Sequence, residues 1–273
     1  MRALKTEISA TETHFHYESF GDFLDDCRNG EAHPDGCCDL VRLDQPSNWN
    51  GNITHDQAIN LAEYGWPEGR AFLSSVDFDF DSHDFSFVEE NETKILDVAG
   101  AVPDVPAFIA GDPCCMVDIV RSERPSKVIK MVVNIVTSWT VATSELKNFG
   151  GAVCSWIDHL ESKGWSLELI VRFESIKKDY RLRLDVTVKK AGEILDLDRV
   201  LFMIAHPASQ RRLFFHVVEM NPESKYLTRT FGLATDSVDV NGEIYVRHLC
   251  GGNAETTDDA VAYVSEPIKS QFA

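Results

Sequence analysis

No stretch of this 273-residue chain is long and apolar enough to cross a bilayer: its hydrophobic runs are strand-sized, where a spanning helix needs about 20 residues. The opening MRALKTEISATETHFHYESF has no apolar run of the signal-peptide kind, so neither export nor membrane insertion is expected. Cysteine is odd in number. The seven stand at 27, 37, 38, 114, 115, 154 and 250, and the members of the two adjacent pairs cannot easily bridge each other, which points to reduced thiols in a cytosol. Gly251-Gly252 lacks the Lys and Ser/Thr of a nucleoside triphosphate loop, and the acidic run around Asp77, Asp79 and Asp81 lacks the Gly and closing Glu of a Ca²⁺ loop. No catalytic motif stands out, and neither a metal nor a cofactor is expected. Basic residues are almost missing from the first 120 positions, where 6 Lys and Arg face 24 Asp and Glu.

That last shortage divides the chain. Residues 121–230 carry 18 Lys and Arg against 13 acids and residues 231–273 carry 2 against 7, so the net charge of −18 is −18, +5 and −5 in turn. An acidic protein can therefore still offer a local site to an anionic partner. With 44% hydrophobic residues the chain can bury a large core as one domain, or as one domain with a smaller one appended.

Thr54 to Gly65 is the clearest element of the acidic third. Thr54 caps a helix, Gln57 completes a capping box, Ala58, Leu61 and Ala62 share its buried face, and Gly65 stops it. Trp49 and Trp66 flank it and are expected to pin it to the rest of the fold. From Ser74 to Phe87 acids alternate with aromatics, which fits a solvated strand face or a mobile tether, with Phe78 and Phe80 on one side. Gly111-Asp112-Pro113 reads as a turn, with Cys114, Cys115 and Met116 as small apolar filling after it.

The central block carries the fold. Lys127 to Val136 is a β-branched run, Val141 to Lys163 has helical spacing through Leu146, Phe149, Val153, Trp156, Ile157 and Leu160, and Leu167 to Phe173 is a second strand. Strand, helix and strand at this spacing predict a right-handed parallel unit. A mixed α/β, Rossmann-like core follows, with an acidic N-terminal region over 1–105 packed on a core domain over 106–273, or the two forming one continuous domain. Asp196 or Asp198 caps a further helix that His206-Pro207 interrupts, and His206 reads as a structural histidine at that break. A strand from Glu243 to Leu249 and a helix starting at Thr256 or Thr257 close the chain.

Ligands favour the carboxyl ends of parallel strands, here Asn134 to Trp139. This junction resembles the place where von Willebrand A-type domains keep an Asp-x-Ser-x-Ser metal site. Asn134 stands for the acidic ligand, Val136 replaces the first serine and Ser138 alone matches, so the resemblance implies a von Willebrand A-like fold without its metal.

The densest basic run is Ile176 to Lys190. Alternation over Arg181 to Lys189 puts Arg181, Arg183, Asp185, Thr187 and Lys189 on one face and Leu182, Leu184, Val186 and Val188 on the other. Lys177, Lys178 and Tyr180 form the preceding turn, a combination suited to tracking a phosphate backbone and stacking a base. The same pattern fits the polar outer face of an amphipathic hairpin.

Taken together, several segments resemble bacteriophage proteins, and among them the single-stranded-DNA-binding RNA polymerase cofactors of podophages that carry a virion RNA polymerase. They are Trp49-x-Gly51, Gly65-Trp66-x-Glu68-Gly69, Gly111-Asp112-Pro113-Cys114, Val132-Val133-Asn134, Asp196-x-Asp198-Arg199, Ala205-His206-Pro207-Ala208 and Arg211-Arg212-Leu213. The resemblance implies a non-enzymatic protein of the infected host's cytoplasm that binds single-stranded DNA and brings a phage-encoded RNA polymerase to opened promoters. Residues 177–190 suggest where: Lys177, Lys178, Tyr180, Arg181, Arg183, Lys189 and Lys190, with Arg211 and Arg212 as secondary candidates. A homo-oligomer would repeat such a modest basic groove along one strand. The rival expectation is a metal-free von Willebrand A-like adaptor that binds protein alone through the Ser138-Trp139 rim.

Overall fold

The computed structural model describes residues 4–9, 11–31, 45–78, 92–121, 128–138, 140–222, 224, 226–227, 233–236 and 243–272. Two compact units emerge, one of residues 1–82 with 128–273 and one of residues 83–127. Residue 105 lies inside the smaller unit, and the acidic N-terminal third contributes strands to the main sheet itself.

The main unit begins with β1 (Leu4–Ser9), β2 (Glu12–Tyr17), α1 (Phe20–Asn29), α2 (His55–Tyr64) and α3 (Pro67–Ser75). The smaller unit holds β3 (Glu92–Asp97), β4 (Val102–Pro103), α4 (Val105–Ile109) and β5 (Met116–Arg121). The main unit resumes with β6 (Val128–Asn134), α5 (Thr143–Ser162), β7 (Ser166–Lys177), β8 (Tyr180–Lys189), α6 (Leu197–Ala205), a π-turn over Ser209–Phe214 and α7 (Phe215–Glu219). It ends with β9 (Leu233–Ala234), β10 (Ile244–Val246) and α8 (Thr257–Phe272).

Local chemistry explains most of these boundaries. Thr54 and Gln57 form the expected capping box on α2, and Gly65 ends it at φ 101°. Asp196 accepts the Arg199 N–H at 3.1 Å and starts α6, which stops where Pro207 removes a donor after His206. Thr256 and Asp259 cap the start of α8 reciprocally, each side chain accepting the other's backbone N–H, and the helix runs on past Val264 with Pro267 inside it. Ser74 and Ser75 finish α3 rather than opening a strand, and residues 79–91, with the rest of the acid-aromatic run, lie outside the described residues.

The main sheet is a mixed one, ordered β1-β2-β8-β7-β6-β10, with β9 pairing β7 beyond the end of β6. The α5 crossover makes β6 and β7 parallel neighbours, as its length and spacing predict, and β10 joins β6 in the same direction. β7 and β8 form the expected antiparallel hairpin, and β2 lies parallel to β8. Flanking helices complete the α/β fold.

Register sorts the sheet into two faces. Phe15, Tyr17, Leu182, Leu184, Val186, Val171, Phe173, Met131, Val133 and Val246 form one, all buried. Helices pack on it: Phe23 of α1 meets Tyr17 edge-on at 5.4 Å, and Phe214 and Phe215 lie 6.4 and 5.7 Å from Phe173. The helical layer is continuous, α1 touching α2, α2 touching α6, and α6 touching α5, which in turn touches α8. α5 and α6 meet tightly at Gly150, where an added Cβ would sit 2.4 Å from the Ala205 Cβ.

The opposite face is largely polar, buried at its centre around Arg172, Glu174 and Asp185 and half-buried at His14, His16, Arg181 and Arg183. Arg172 grips Asp185 with two 2.7 Å bonds from Nε and Nη2, and His14 Nε2 lies 2.9 Å from the same carboxylate. Burial pushes the Asp185 carboxyl up, but the His14 and Arg172 bonds outweigh it and hold the group well below the usual carboxylate range.

In the smaller unit β5 pairs with β3 and β4, both antiparallel, and Gly111 turns the chain at φ 76° with Asp112 accepting the Cys114 N–H. Leu96, Val98, Val102, Val105, Phe108 and Ile109 of this unit are exposed. No described helix is long and apolar enough to cross a membrane.

Replacing Gly150 by Ala tests the α5–α6 contact. The helix gains about 1 kcal/mol of propensity. The new methyl meets the Ala205 Cβ and backbone, an overpacking cost of about 1–3 kcal/mol. The expected result is a net loss of stability in urea unfolding, against no measurable change for Gly251→Ala, where a Cβ meets nothing within 4 Å.

Candidate functional site

The structure disperses the basic residues that the sequence offers as a DNA face. Arg181 is ion-paired with Glu174, and Arg183 lies 3.4 Å from Glu174 and 3.9 Å from Glu12. Lys189 is buried, with Nζ 2.6 Å from Glu161 and donating to the Leu167 carbonyl at 2.9 Å. Tyr180 is buried too: its hydroxyl donates to Thr13 and its ring packs 4.9 Å from Tyr226. Lys178 and Lys190 are exposed and Lys177 half-buried, but the ten residues of β8 separate the turn from Lys190 by about 30 Å. The strand alternates as expected, but Lys189 is buried and the half-buried Arg181 and Arg183 are paired with Glu174 and Glu12, so these residues form no continuous basic stripe.

Arg211 and Arg212 have a different task. Arg211 donates to the carbonyls of Trp49 and Ser138 and lies 5.3 Å from the Trp49 ring centroid, while Arg212 donates to the carbonyls of Gln45 and Ile53 at 2.6 and 3.0 Å. Both are buried. Burial holds the Arg211 guanidinium below its ordinary pKa, and neither cation faces a solvent groove. Together they clamp residues 45–53 onto the π-turn.

That clamp builds one wall of a cleft with a cavity volume of about 640 Å³. Asn48, Asn52 and Ile53 come from the clamped segment, Gln57, Asn60 and Leu61 from α2, Trp66 and Glu68 from the start of α3, Thr143 and Lys147 from α5, and His206 and Pro207 from the end of α6. Gly51 lets the wall close, since its φ is 75° and a Cβ there would sit 2.7 Å from the His206 ring.

His206 is more than nine-tenths buried, with Trp66 edge-on to it at 4.8 Å and Phe202 stacked at 5.0 Å. Burial, then the nearby Lys147 charge, pushes its pKa down to about 4, so the ring is neutral at pH 7. Nδ1 accepts the Ala208 N–H at 3.1 Å, which leaves the proton on Nε2. The ring thus presents a donor to the cleft. Lys147 lies over the rings of Trp66 and Phe72 at 5.6 and 5.9 Å and brings the one positive charge among the lining residues. Four amides, one cation, one carboxylate and a neutral imidazole donor above an indole suit a flat, polar-edged ligand.

The von Willebrand A-like junction is occupied by structure. Asn134 Nδ2 donates to the Thr235 carbonyl at 2.8 Å and to the Tyr245 hydroxyl at 3.0 Å, while Oδ1 accepts the Val136 N–H. Ser138 Oγ accepts from Thr140, and Trp139 lies outside the described residues.

A family model described as "Domain of unknown function (DUF7192)" matches residues 5–270. The chain belongs to that family. The match takes in both compact units and every residue lining the cleft. No curated protein and no solved structure matches the chain.

The cleft unites segments read separately in the sequence. Trp49-x-Gly51, Gly65-Trp66-x-Glu68-Gly69 and Ala205-His206-Pro207-Ala208 supply or flank its lining, and Arg211-Arg212 holds its wall. Lys147 and the amides of Asn48, Asn52 and Asn60 went unrecognised, and Gln57 was read only as part of the α2 capping box. The signal of the first four was proximity to those segments rather than any motif of their own.

His206 makes stability depend on pH. Its folded value of about 4 lies below the 6.5 of the free side chain, so on acidification the unfolded chain takes the proton first. Its contribution is complete above pH 6.5, falls between 6.5 and 4, and is lost below, a change of about 3 kcal/mol. His216, likewise pushed to about 4 by burial and then by His55, titrates in the same window. Urea unfolding at pH 7.5 and 4.5 should show a smaller drop for His206→Gln than for the unaltered protein.

Proposed function

We propose that this protein binds single-stranded DNA without catalytic turnover and serves a phage-encoded RNA polymerase in the host cytoplasm as a transcription cofactor. One observation carries the reading: three of the seven segments that resemble the podophage cofactors meet at one cleft, and a fourth, Arg211-Arg212-Leu213, holds its wall. Its chemistry fits one exposed nucleotide. The amides of Asn48, Asn52 and Asn60 and the Nε2 of Gln57, whose oxygen caps α2, can pair with base edges, Lys147 can meet a phosphate, and Trp49 beside Asn48 is 39% exposed, so the part of its ring that Arg211 and Phe215 leave uncovered can meet a base at the rim.

This mode differs from a basic groove. A groove that neutralised many phosphates would weaken steeply with salt, whereas a cleft with one cation gives a log–log slope of about −0.7 on single strands. Such shallow dependence suits a protein of net charge −18, whose surface repels bulk nucleic acid and admits strands with splayed bases. Self-association would repeat the single-nucleotide contact along one strand. The exposed Val105, Phe108 and Ile109 of the smaller unit offer an apolar surface to the polymerase.

Fluorescence anisotropy with a labelled oligodeoxythymidine at 50 and 200 mM salt tests the DNA reading. Binding with a slope near −0.7, weakened about tenfold by Trp49→Ala and flattened by Lys147→Met, is the expected result. Absence of binding at 50 mM salt would overturn it. A slope several times steeper would place the contact elsewhere.

A further inference from the structure

Beyond the carboxyl ends of β10 and β6, on the far side of the first turn of α5 from the cleft, three side chains stand in line. Cys250 Sγ lies 3.5 Å from His248 Nε2, and His248 Nδ1 lies 2.9 Å from Asp236 Oδ1. A carboxylate can only accept, so Nδ1 carries the proton and Nε2 turns its lone pair toward the thiol. The two ring nitrogens point in opposite directions, which makes the row a relay rather than a seat for one ion. Among the described residues no group of three or more His, Cys, Asp and Glu could hold a metal.

The row is held rigidly. Asp236 also accepts the His248 backbone N–H at 3.1 Å and the Tyr245 hydroxyl at 3.2 Å. Burial pushes its carboxyl up, but the bonds from His248 and Tyr245 prevail and hold it below the ordinary range, so it remains an acceptor at neutral pH. Tyr263 donates to the His248 carbonyl at 2.7 Å. After Cys250 the loop is fixed to α5: the Gly252 N–H donates to Glu145 at 2.7 Å, and Asn148 donates to the carbonyls of Ala254 and Glu255 at 3.0 Å. Beside the thiol, a Cβ on Gly251 would meet nothing within 4 Å, so approach is open.

The other described cysteines lack this setting. Cys27 and Cys154 are fully buried and burial pushes both thiols up, while Cys114 and Cys115 are half-buried in the smaller unit. Cys250 alone among them is exposed. A nucleophile, a base in reach of it and a group orienting the base are the parts an activated thiol requires.

We propose that Cys250 is an activated thiol and a modification site that exchanges with small disulfides, with His248 as its base and Asp236 as the positioning residue. The Cys250 proton passes to His248 Nε2 as the sulfur attacks one sulfur of the disulfide. That S–S bond breaks, a mixed disulfide forms on Cys250, and the departing thiolate takes the proton from His248. One disulfide is consumed and one formed, so no outside oxidant is required.

The test uses the full chain and oxidised glutathione at pH 7, with the modified cysteine identified and timed by peptide mass spectrometry. Exposure alone cannot take a thiol above its rate in the unfolded chain, so the reference is the same cysteine in about 8 M urea at equal reagent concentration. Cys250 is expected to react about tenfold faster folded than unfolded, and His248→Ala should remove that excess while leaving the Cys114 and Cys115 rates unchanged. Asp236→Asn should reduce the excess without abolishing it. A folded rate no higher than the unfolded one overturns the proposal, as does an excess that survives His248→Ala. The comparison within the unaltered protein stands even where a variant fails to fold, and neither result bears on DNA binding at the cleft.

Discussion

The buried ion pair between Arg172 and Asp185 governs the sheet around it. A carboxylate taken out of water is tolerable only with partners in good geometry, and here a two-pronged guanidinium and His14 supply them. These partners sit on β7 and β2, on either side of β8. A one-residue slip of either strand would turn its partner to the apolar face and leave a charge stranded, so the pair fixes the register of three strands at once. Beside it, Arg181 pairs with Glu174 and donates to the Asp236 carbonyl, while Asn134 holds Thr235. The polar face thereby sets the position of the chain that crosses the carboxyl edge of the sheet.

This network also explains which parts of the molecule were legible in the sequence. The α2 capping box, the α5 crossover between parallel strands and the β7–β8 hairpin rest on signals within a few residues of one another, and all three stand where those signals put them. Alternation assigned Arg181, Arg183 and Lys189 to one face correctly. It could not reveal that Glu12 and Glu161 come from remote elements to meet Arg183 and Lys189, nor that Glu174, opposite Arg183 across the hairpin, would pair with both Arg181 and Arg183. Arg211-Arg212 misled for a related reason: two adjacent arginines read as a patch, but each reaches backbone carbonyls about 160 residues away in a loop rich in turn residues.

The cleft was half legible. Its glycines, tryptophans and the His206-Pro207 break were singled out as motifs, yet as motifs that maintain the fold, and both descriptions hold. Gly51 is required by the close approach of the His206 ring, and that same ring belongs to the lining of the cleft. The first turns of α5 unite this site with the thiol loop. Thr143 and Lys147 face the cleft, whereas Glu145 and Asn148 hold the backbone after Cys250. One rigid helix end therefore positions two chemically different surfaces.

The pairing of β2 with β8 has a consequence for how the protein is made. His14 lies opposite Arg183 in that parallel ladder, so the N-terminal hairpin leaves the ribosome long before the strand that completes it. At about 5–20 residues per second, the intervening chain takes on the order of 10–30 s to synthesise. Throughout that interval β2 presents an unpaired edge, with His14 lacking the carboxylate it will later meet. Such an edge can join a second nascent chain as readily as its own distant partner. Crowded polysomes would favour that misjoining, and the early hairpin is the segment a chaperone would have most reason to cover.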